Sequence, residues 1–517
     1  MSERLVLEAS MRKIGQQLHF VESDVYERSV PEDHYLRRVS RALDFGFIDK
    51  MCEAKYKCVD GGPGRPAEPP QRMFRYLFLM FLYQVKFERE LERLTRDSMA
   101  WRWFCGYQID EDVASHKTLW LFRHRLGPDL FDEIFARLLE QCIACGLVSG
   151  ERWHLDATKQ DAAATTFSQF EVATILTRAM IDRLSSMQDA GSSEPGAPPV
   201  EMDDEMKRLV AAAASKVAKL KRVSADRVLA KAEGISHDVA ESSAAGKHLP
   251  DQDKESPELE ELARRLWRDH PHAKGDPDAR IGKTSVKKSF CGYVSAAVVD
   301  EKHGIVLGYT TVAGNVDQAD TFLPTYEKAR RLAPRPRELA ADRAFDILEI
   351  RRRMRDDGVR AHIPMIRTHR RGDVLDSEHF KVFNVGDGYE VRCPAGHLMR
   401  QSKSRKTGAL EFRGTRCAGC PLQGKCVNAA DGVRGFNFNP VLRQFQEEHW
   451  LARGTPEYQR AMKMRMATIE PVFGHAKTFH KLGKSIYRSF PMQRIQTMMS
   501  LFAVNLEKLV RYAPQPA

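Results

Sequence analysis

Three carboxylates stand out by type and setting. Glu470 lies in "RMATIEPVFGHAK", residues 465–477, framed by apolar Ile469, Val472 and Phe473, with Lys477 seven residues on. Seven residues is about two helical turns, so Glu470 and Lys477 share a helix face. Pro471 cannot donate a helix hydrogen bond and disfavours helical geometry at Glu470, which predicts a kink or a helix start there. Asp156 follows the short run Trp153-His154-Leu155, and Asp342 ends "RELAAD". Each reads as a strand delivering a carboxylate to its end. Hard divalent cations such as Mg²⁺ take carboxylate oxygens and keep waters. Two such ions ~4 Å apart activate an attacking oxygen and stabilise the leaving one in phosphodiester cleavage. Three carboxylates from different elements can clamp both. The competing reading of each is a surface acid, and Asp346 competes with Asp342. Asp161, Asp300 and Asp317 read as structural acids near strand ends.

The elements that would position these acids are legible in outline. Residues 1–150 read as helical: "QRMFRYLFLMFLYQVKFERELERLT" and "LWLFRHRLGPDLFDEIFARLLEQCIACGL" have helical spacing, the second interrupted near Gly127-Pro128. A strand ends at Asp156. Residues 167–280 read as a helical insertion with a flexible linker, "DAGSSEPGAPPVEMDDE". "FCGYVSAAVVD" and "GIVLGYTTVAG", around "EKHG", predict a hairpin. A helix, the strand ending near Asp342, a helix and the strand "VRAHIPMI" follow. A second, irregular insertion spans 367–445, and two helices close the chain. Without the insertions the order is strand, hairpin, helix, strand, helix, strand, helix. That is the layout of an RNase H-like nucleotidyl transferase, a mixed sheet flanked by helices. The core comprises 151–366 and 446–513, behind a helical N-terminal region at 1–150.

Composition agrees with a polyanionic partner. The 81 Lys and Arg against 70 Asp and Glu give a net charge of +11, which favours nucleic acid. The most apolar run, "YLFLMFLY", is far short of the ~20 residues of a spanning helix. The N-terminus carries charges throughout and no signal segment. The expected location is the cytoplasm, where the ten cysteines stay reduced.

Four of those cysteines, Cys393, Cys417, Cys420 and Cys426, fall in "CPAGH…RCAGCPLQGKC". Cys417 and Cys420 have the C-x₂-C spacing that lets two thiolates chelate one ion. A four-cysteine zinc site leads; an iron–sulfur cluster and unmetallated thiols are the alternatives. This insertion reads as poor in apolar residues, so a metal would help fold it. Cys142 and Cys145 share the spacing but sit in an apolar helical pattern, which fits core packing.

The chain resembles an insertion-sequence transposase of the DDE type, from the branch whose catalytic domain carries a cysteine-rich insertion. The matching stretches are "LDATKQDAA", "GYVSAAVVD", "ADRAFD", "HIP" and "RMATIEPVFGHAK", in that order. "PQRMFRYLFLMFLYQVKFERELERLTRDSMAWRWF" and "SHKTLWLFRHRL" resemble the family's helical N-terminal domain. Relatives often carry Gly where Ala157 stands and a Gly-Tyr pair at Ala344-Phe345. Their glutamate-helix signature places an arginine four residues before the glutamate and a lysine seven after. Lys477 matches; Met466 occupies the arginine position, with Arg465 one residue off.

The resemblance implies catalytic, metal-holding Asp156, Asp342 and Glu470, with Mg²⁺ or Mn²⁺. It implies binding of terminal inverted repeats through N-terminal helices and basic patches. The expected DNA contacts are Lys477, Arg465, Lys463, Arg123 and Arg125. The activity implied is cleavage of double-stranded DNA at the element ends and joining of the 3′-OH ends to target DNA. A homodimer and action at the bacterial nucleoid follow from the same likeness. The alternatives are a transposase-derived DNA-binding protein that no longer cuts, and a metal-dependent nuclease without strand transfer.

Overall fold

The computed structural model describes residues 20–56, 67–167, 273–285, 288–365, 375–386, 388–404, 409–427 and 432–513, with single positions at 171, 174, 175 and 178. The expected helical insertion lies almost wholly outside the described residues. Its stem is described: Thr165–Thr166 pairs with Ala273–Lys274, so the chain leaves and re-enters the core at one place.

The core sheet is built around β1 (Arg152–Asp161). β2 (Arg280–Ser285) and β3 (Lys288–Asp300) pair antiparallel, and β3 continues alongside β1, also antiparallel. β4 (Val306–Ala313) returns on the other side of β3, the expected hairpin. β5 (Glu338–Ala341) lies parallel to β1, and β6 (Arg360–His362) parallel to β5. The order β4-β3-β1-β5-β6 is the mixed sheet of the RNase H-like fold. β1 is central because both its neighbours pair with it, and its residues Trp153 to Leu155 are buried accordingly.

The N-terminal region is helical: α1 (Phe20–Ser29), α2 (Tyr35–Ala42), α3 (Phe47–Tyr56), α4 (Pro70–Leu82), α5 (Glu88–Asp97), α6 (Met99–Cys105) and α7 (His116–Ala144). Gly127, with φ of +71°, breaks α7 at the expected Gly-Pro interruption. α4 is apolar on nearly every side and is buried accordingly. α8 (Phe322–Arg330) and α9 (Leu348–Asp356) connect the later strands. α8 sits so close to β4 that a Cβ at Gly308 would fall 2.8 Å from the Ala329 nitrogen.

The chain closes with α10 (Pro440–Ala452), α11 (Pro456–Phe479) and α12 (Phe490–Tyr512). α12 is the spine between sheet and N-terminal helices. Phe502 meets Phe74 and Phe78 at 5.2 and 5.8 Å between ring centroids. Asn505 exchanges two 2.8 Å hydrogen bonds with the Val306 backbone. Gln493 donates to Gln160 of β1 at 2.7 Å. One continuous apolar core therefore runs from Leu36 through the sheet to Val510.

The cysteine-rich insertion has its own small core. β7 (Lys381–Val385) and β8 (Gly388–Arg392) form one hairpin; β9 (Arg400–Ser404), β10 (Leu410–Arg413) and β11 (Gly435–Phe438) form a separate sheet. Phe380, Val391, Met399, Phe412, Phe436 and Phe438 are buried there, with Phe380 stacked on Phe436 at 4.4 Å. The expectation of an apolar-poor insertion is corrected: a few aromatic side chains, spread along the sequence, converge into a core.

Among the described residues no helix is long and apolar enough to cross a membrane.

Candidate active site

β1 and β5 run parallel in a register that sets Leu155 opposite Ala341. Asp156 and Asp342 follow these paired residues and so stand at one level on neighbouring strands; Asp342 directly follows β5, but β1 runs on through Asp156 to Asp161, which corrects the expected strand end at Asp156. Asp342 begins a short 3₁₀ turn, Arg343–Phe345, and its carboxylate makes no hydrogen bond among the described residues. Asp156 is engaged: one carboxylate oxygen accepts the Ala157 N–H at 2.8 Å, the other a 2.7 Å hydrogen bond from Arg465 Nη1. Burial pushes the Asp156 carboxyl above its ordinary range and the charge of Asp342 adds to this; the Arg465 guanidinium and the Ala157 N–H oppose them. Asp346 is no rival for Asp342. It is buried in an ion pair with Arg351 at 2.7 Å, and Arg351 also donates to the Ile363 carbonyl.

α11 carries Glu470 across the sheet and packs on β1 and β5. Thr455 caps its start by accepting from the Tyr458 N–H. Arg460 then reaches Glu301, at the end of β3, and Glu338, at the start of β5, which fixes where the helix begins on the sheet. Arg465 meets Asp156 one turn later. Near the far end of β1, the charge of Lys477 helps burial depress the Lys159 ammonium, and Asp161 tempers the depression that burial imposes on Lys477 itself. Glu470 falls between these anchor points. Ile469, Val472, Phe473 and Ala476 point into the core; Glu470 is exposed on the flank of the helix and has no ion pair among the described residues.

Pro471 does not start or break this helix, contrary to the expectation from local rules. α11 runs through it from Pro456 to Phe479. The missing N–H leaves one helix bond unmade, and the buried apolar residues around it hold the helix in place.

A cleft of ≈ 640 Å³ opens from Asp342 and Arg465 toward the insertion and α10, with Arg343, Glu378, Arg453 and Trp450 on its walls. Glu378 is paired with Arg453 and is not free for another role. His154, one strand turn before Asp156, is buried beside Glu301 at 3.2 Å. Burial, aided by the charges of Arg465 and Arg460, pushes its imidazole down to about 4. The Arg460–Glu301–Glu338 cluster escaped sequence reasoning because Glu301 sits in a turn; its only signal is an acid directly after a strand end.

The expected DNA contacts divide. Lys463 and Arg125 are exposed, Arg125 over the Tyr56 ring at 4.8 Å, and Lys477 lies at the surface beside β1. Arg123 is corrected: it is 2% exposed, paired with Glu88 and stacked over Tyr487 at 4.3 Å. A side chain enclosed in this way cannot reach a phosphate. Arg465 is 11% exposed and held by Asp156, so it can meet a phosphate only once that pair opens.

Among the described residues Asp342 and Glu470 have no hydrogen-bond partner for their carboxylates, and Asp156 offers an oxygen held by an exchangeable arginine. Carboxylates of this kind suit a hard divalent cation. The four cysteines share one end of the insertion: Cys393, Cys417 and Cys420 all act on the buried Cys426 thiol, which burial pushes up. The Arg434 N–H points at Cys417 Sγ at 3.5 Å, and Gly414 leaves room beside that sulfur. Four thiols suit zinc. Among the described residues, however, no three of them bring their sulfurs within 4.8 Å of one another. A tetrahedral shell with Zn–S of about 2.3 Å needs about 3.8 Å between sulfurs, so the thiols must draw together to close on an ion.

Two family models match the chain: a transposase domain (DUF772) over residues 24–125 and a transposase DDE domain over residues 392–510. No curated protein matches it.

Proposed function

The chain belongs to the DDE transposases of insertion sequences, and on that premise we propose that it binds the terminal inverted repeats of its element, cleaves the DNA there and joins the 3′-OH ends to target DNA. Asp156, Asp342 and Glu470 are its catalytic residues. The observation that carries this reading is the placement of Asp156 and Asp342 at one level on adjacent parallel strands, with the helix bearing Glu470 laid across them. The three carboxylates would hold Mg²⁺ or Mn²⁺, which when bound supplies Lewis acidity to the attacking and leaving oxygens.

The remaining chemistry belongs to the chain. Arg465 offsets the burial of Asp156 and favours its ionised form. Releasing Asp156 frees Arg465 to meet a phosphate. Lys477 and Lys463, exposed on the same helix, track the DNA backbone. The cysteine-rich insertion, whose thiols would hold zinc once drawn together, walls the cleft beside Asp342. A homodimer would pair the two element ends.

The test is incubation of purified protein, Mg²⁺ and a duplex carrying the inverted repeat that flanks its reading frame. Nicked ends and joined products are expected. Asp342→Asn should lower both by about 10²–10⁴-fold, the scale of losing a positioned catalytic group, while end binding survives. Binding without cleavage in the unaltered protein would mark a DNA-binding descendant; nicking without joining would mark a nuclease.

A further inference from the structure

A second cluster lies at the other end of α11. His475 on α11, His480 just beyond it and Glu507 on α12 turn their polar atoms to one point. His475 Nε2 is 2.6 Å and His480 Nε2 3.3 Å from Glu507 Oε2, and the two Nε2 atoms are 3.3 Å apart. A tetrahedral ion with bonds of about 2.0–2.1 Å sets its donor atoms about 3.3 Å from one another. Two of the three edges already have that length. The third has the length of a hydrogen bond and needs to open by about 0.7 Å.

The surroundings fix the direction of His480. It is fully buried, and its Nδ1 lies 3.2 Å from the Phe81 carbonyl at the end of α4. A carbonyl only accepts, so Nδ1 carries a proton, and in the neutral ring the Nε2 lone pair faces the cluster. This is how metal-binding histidines are held from behind. His475 spends its own Nε2 proton on Glu507 at 2.6 Å. In that neutral form the His480 lone pair faces a carboxylate oxygen at 3.3 Å, and either a metal ion or a second proton on His480 relieves the opposition. The His475 and Glu507 side chains keep 41% and 29% exposure, which leaves a solvent side for a fourth ligand such as water.

We propose that His475, His480 and Glu507 form a transition-metal site, taking Zn²⁺ or a like divalent ion through two imidazoles and one carboxylate. The ion fastens the end of α11 to α12 and, through Phe81, to the N-terminal helices. It thereby sets the position of the helix that carries Glu470 and Lys477. The site is separate from the cysteines in sequence and in donor chemistry, and it stands whether or not the chain cuts DNA.

The experiment uses the full chain with Cys417→Ser and Cys420→Ser, which removes the competing thiolates, titrated with Co²⁺. One equivalent should bind with the visible bands of a nitrogen–oxygen shell and no thiolate charge-transfer band, and should raise the unfolding temperature. His475→Ala and Glu507→Gln, added singly, should each abolish the bands and the temperature rise. His475 is half-exposed, and Gln keeps a hydrogen-bond acceptor, so folding is expected to survive; circular dichroism checks it. In the unaltered background, His475→Ala should lower bound zinc by one equivalent. Absence of the bands, bands that persist in both variants, or equal zinc content with and without His475 would each overturn the proposal and leave a hydrogen-bonded triad.

Discussion

Arg465 Nη1 lies 2.7 Å from Asp156 Oδ2, joining the glutamate-bearing helix to the central strand. Removing the arginine leaves Asp156 buried without a counter-charge, so its carboxyl rises further above the unfolded value. A raised carboxyl penalises the folded state wherever the group is ionised. Arg465→Ala should therefore lose about 1–3 kcal/mol at pH 7, less than a fully buried pair costs to break, and regain part of it as the pH falls through the raised value. Urea unfolding at pH 7 and pH 5 checks this. A cost that grows on acidification would show that Asp156 does not depend on Arg465.

His154 has the opposite sign of interest. Its folded imidazole, at about 4, lies below the unfolded value of about 6.5. Between these values the unfolded chain takes up a proton that the folded chain refuses. Stability from this group is present above about 6.5 and is lost as pH falls toward 4, by up to about 3 kcal/mol. His154→Gln should flatten that part of the pH dependence relative to the unaltered chain. Identical slopes would place the titration elsewhere.

Two basic residues separate surface from interior. Lys477→Ala should reduce the salt slope of end binding by about one ion and leave the unfolding temperature close to unchanged. Arg123→Ala should do the reverse: no change in slope, and a loss of about 3 kcal/mol from stranding Glu88. Salt titrations of binding and thermal melts of both variants decide it. A slope change for Arg123 would mean that the interior opens on DNA.

Cys417→Ser tests the thiol cluster. It should cost one equivalent of zinc and expose the insertion to protease while the RNase H-like core still melts cooperatively. Iron with acid-labile sulfide, or no change in metal content, would overturn a zinc role for these cysteines.

Much of the sheet is legible because most core strands contain an apolar run with punctuation around it, although β1 extends past its run through the polar residues Thr158 to Asp161. Asp156 and Asp342 are visible as acids that end such runs. Glu470 is legible by type, but the continuity of its helix is not: Pro471 weakens a helix locally, and Ile469, Val472 and Phe473 overrule it by burial. Arg123 looked like a surface cation because helical spacing carries no information about Glu88 and Tyr487, which enclose it from other elements. The aromatic core of the insertion was hidden for the same reason, its members being scattered from Phe380 to Phe438. The His475–His480–Glu507 cluster depends on α12 crossing α11, which no local pattern encodes.

If Asp156, Asp342 and Glu470 hold one metal centre, Mn²⁺ will mark it. Anomalous diffraction from crystals of the protein bound to its end DNA and soaked in Mn²⁺ tests it most directly. An anomalous peak is expected at coordination distance, about 2.0–2.3 Å, from oxygens of all three carboxylates, with Arg465 swung away from Asp156. A peak at the two aspartates whose shell is completed by another acid, with Glu470 facing solvent, would contradict it.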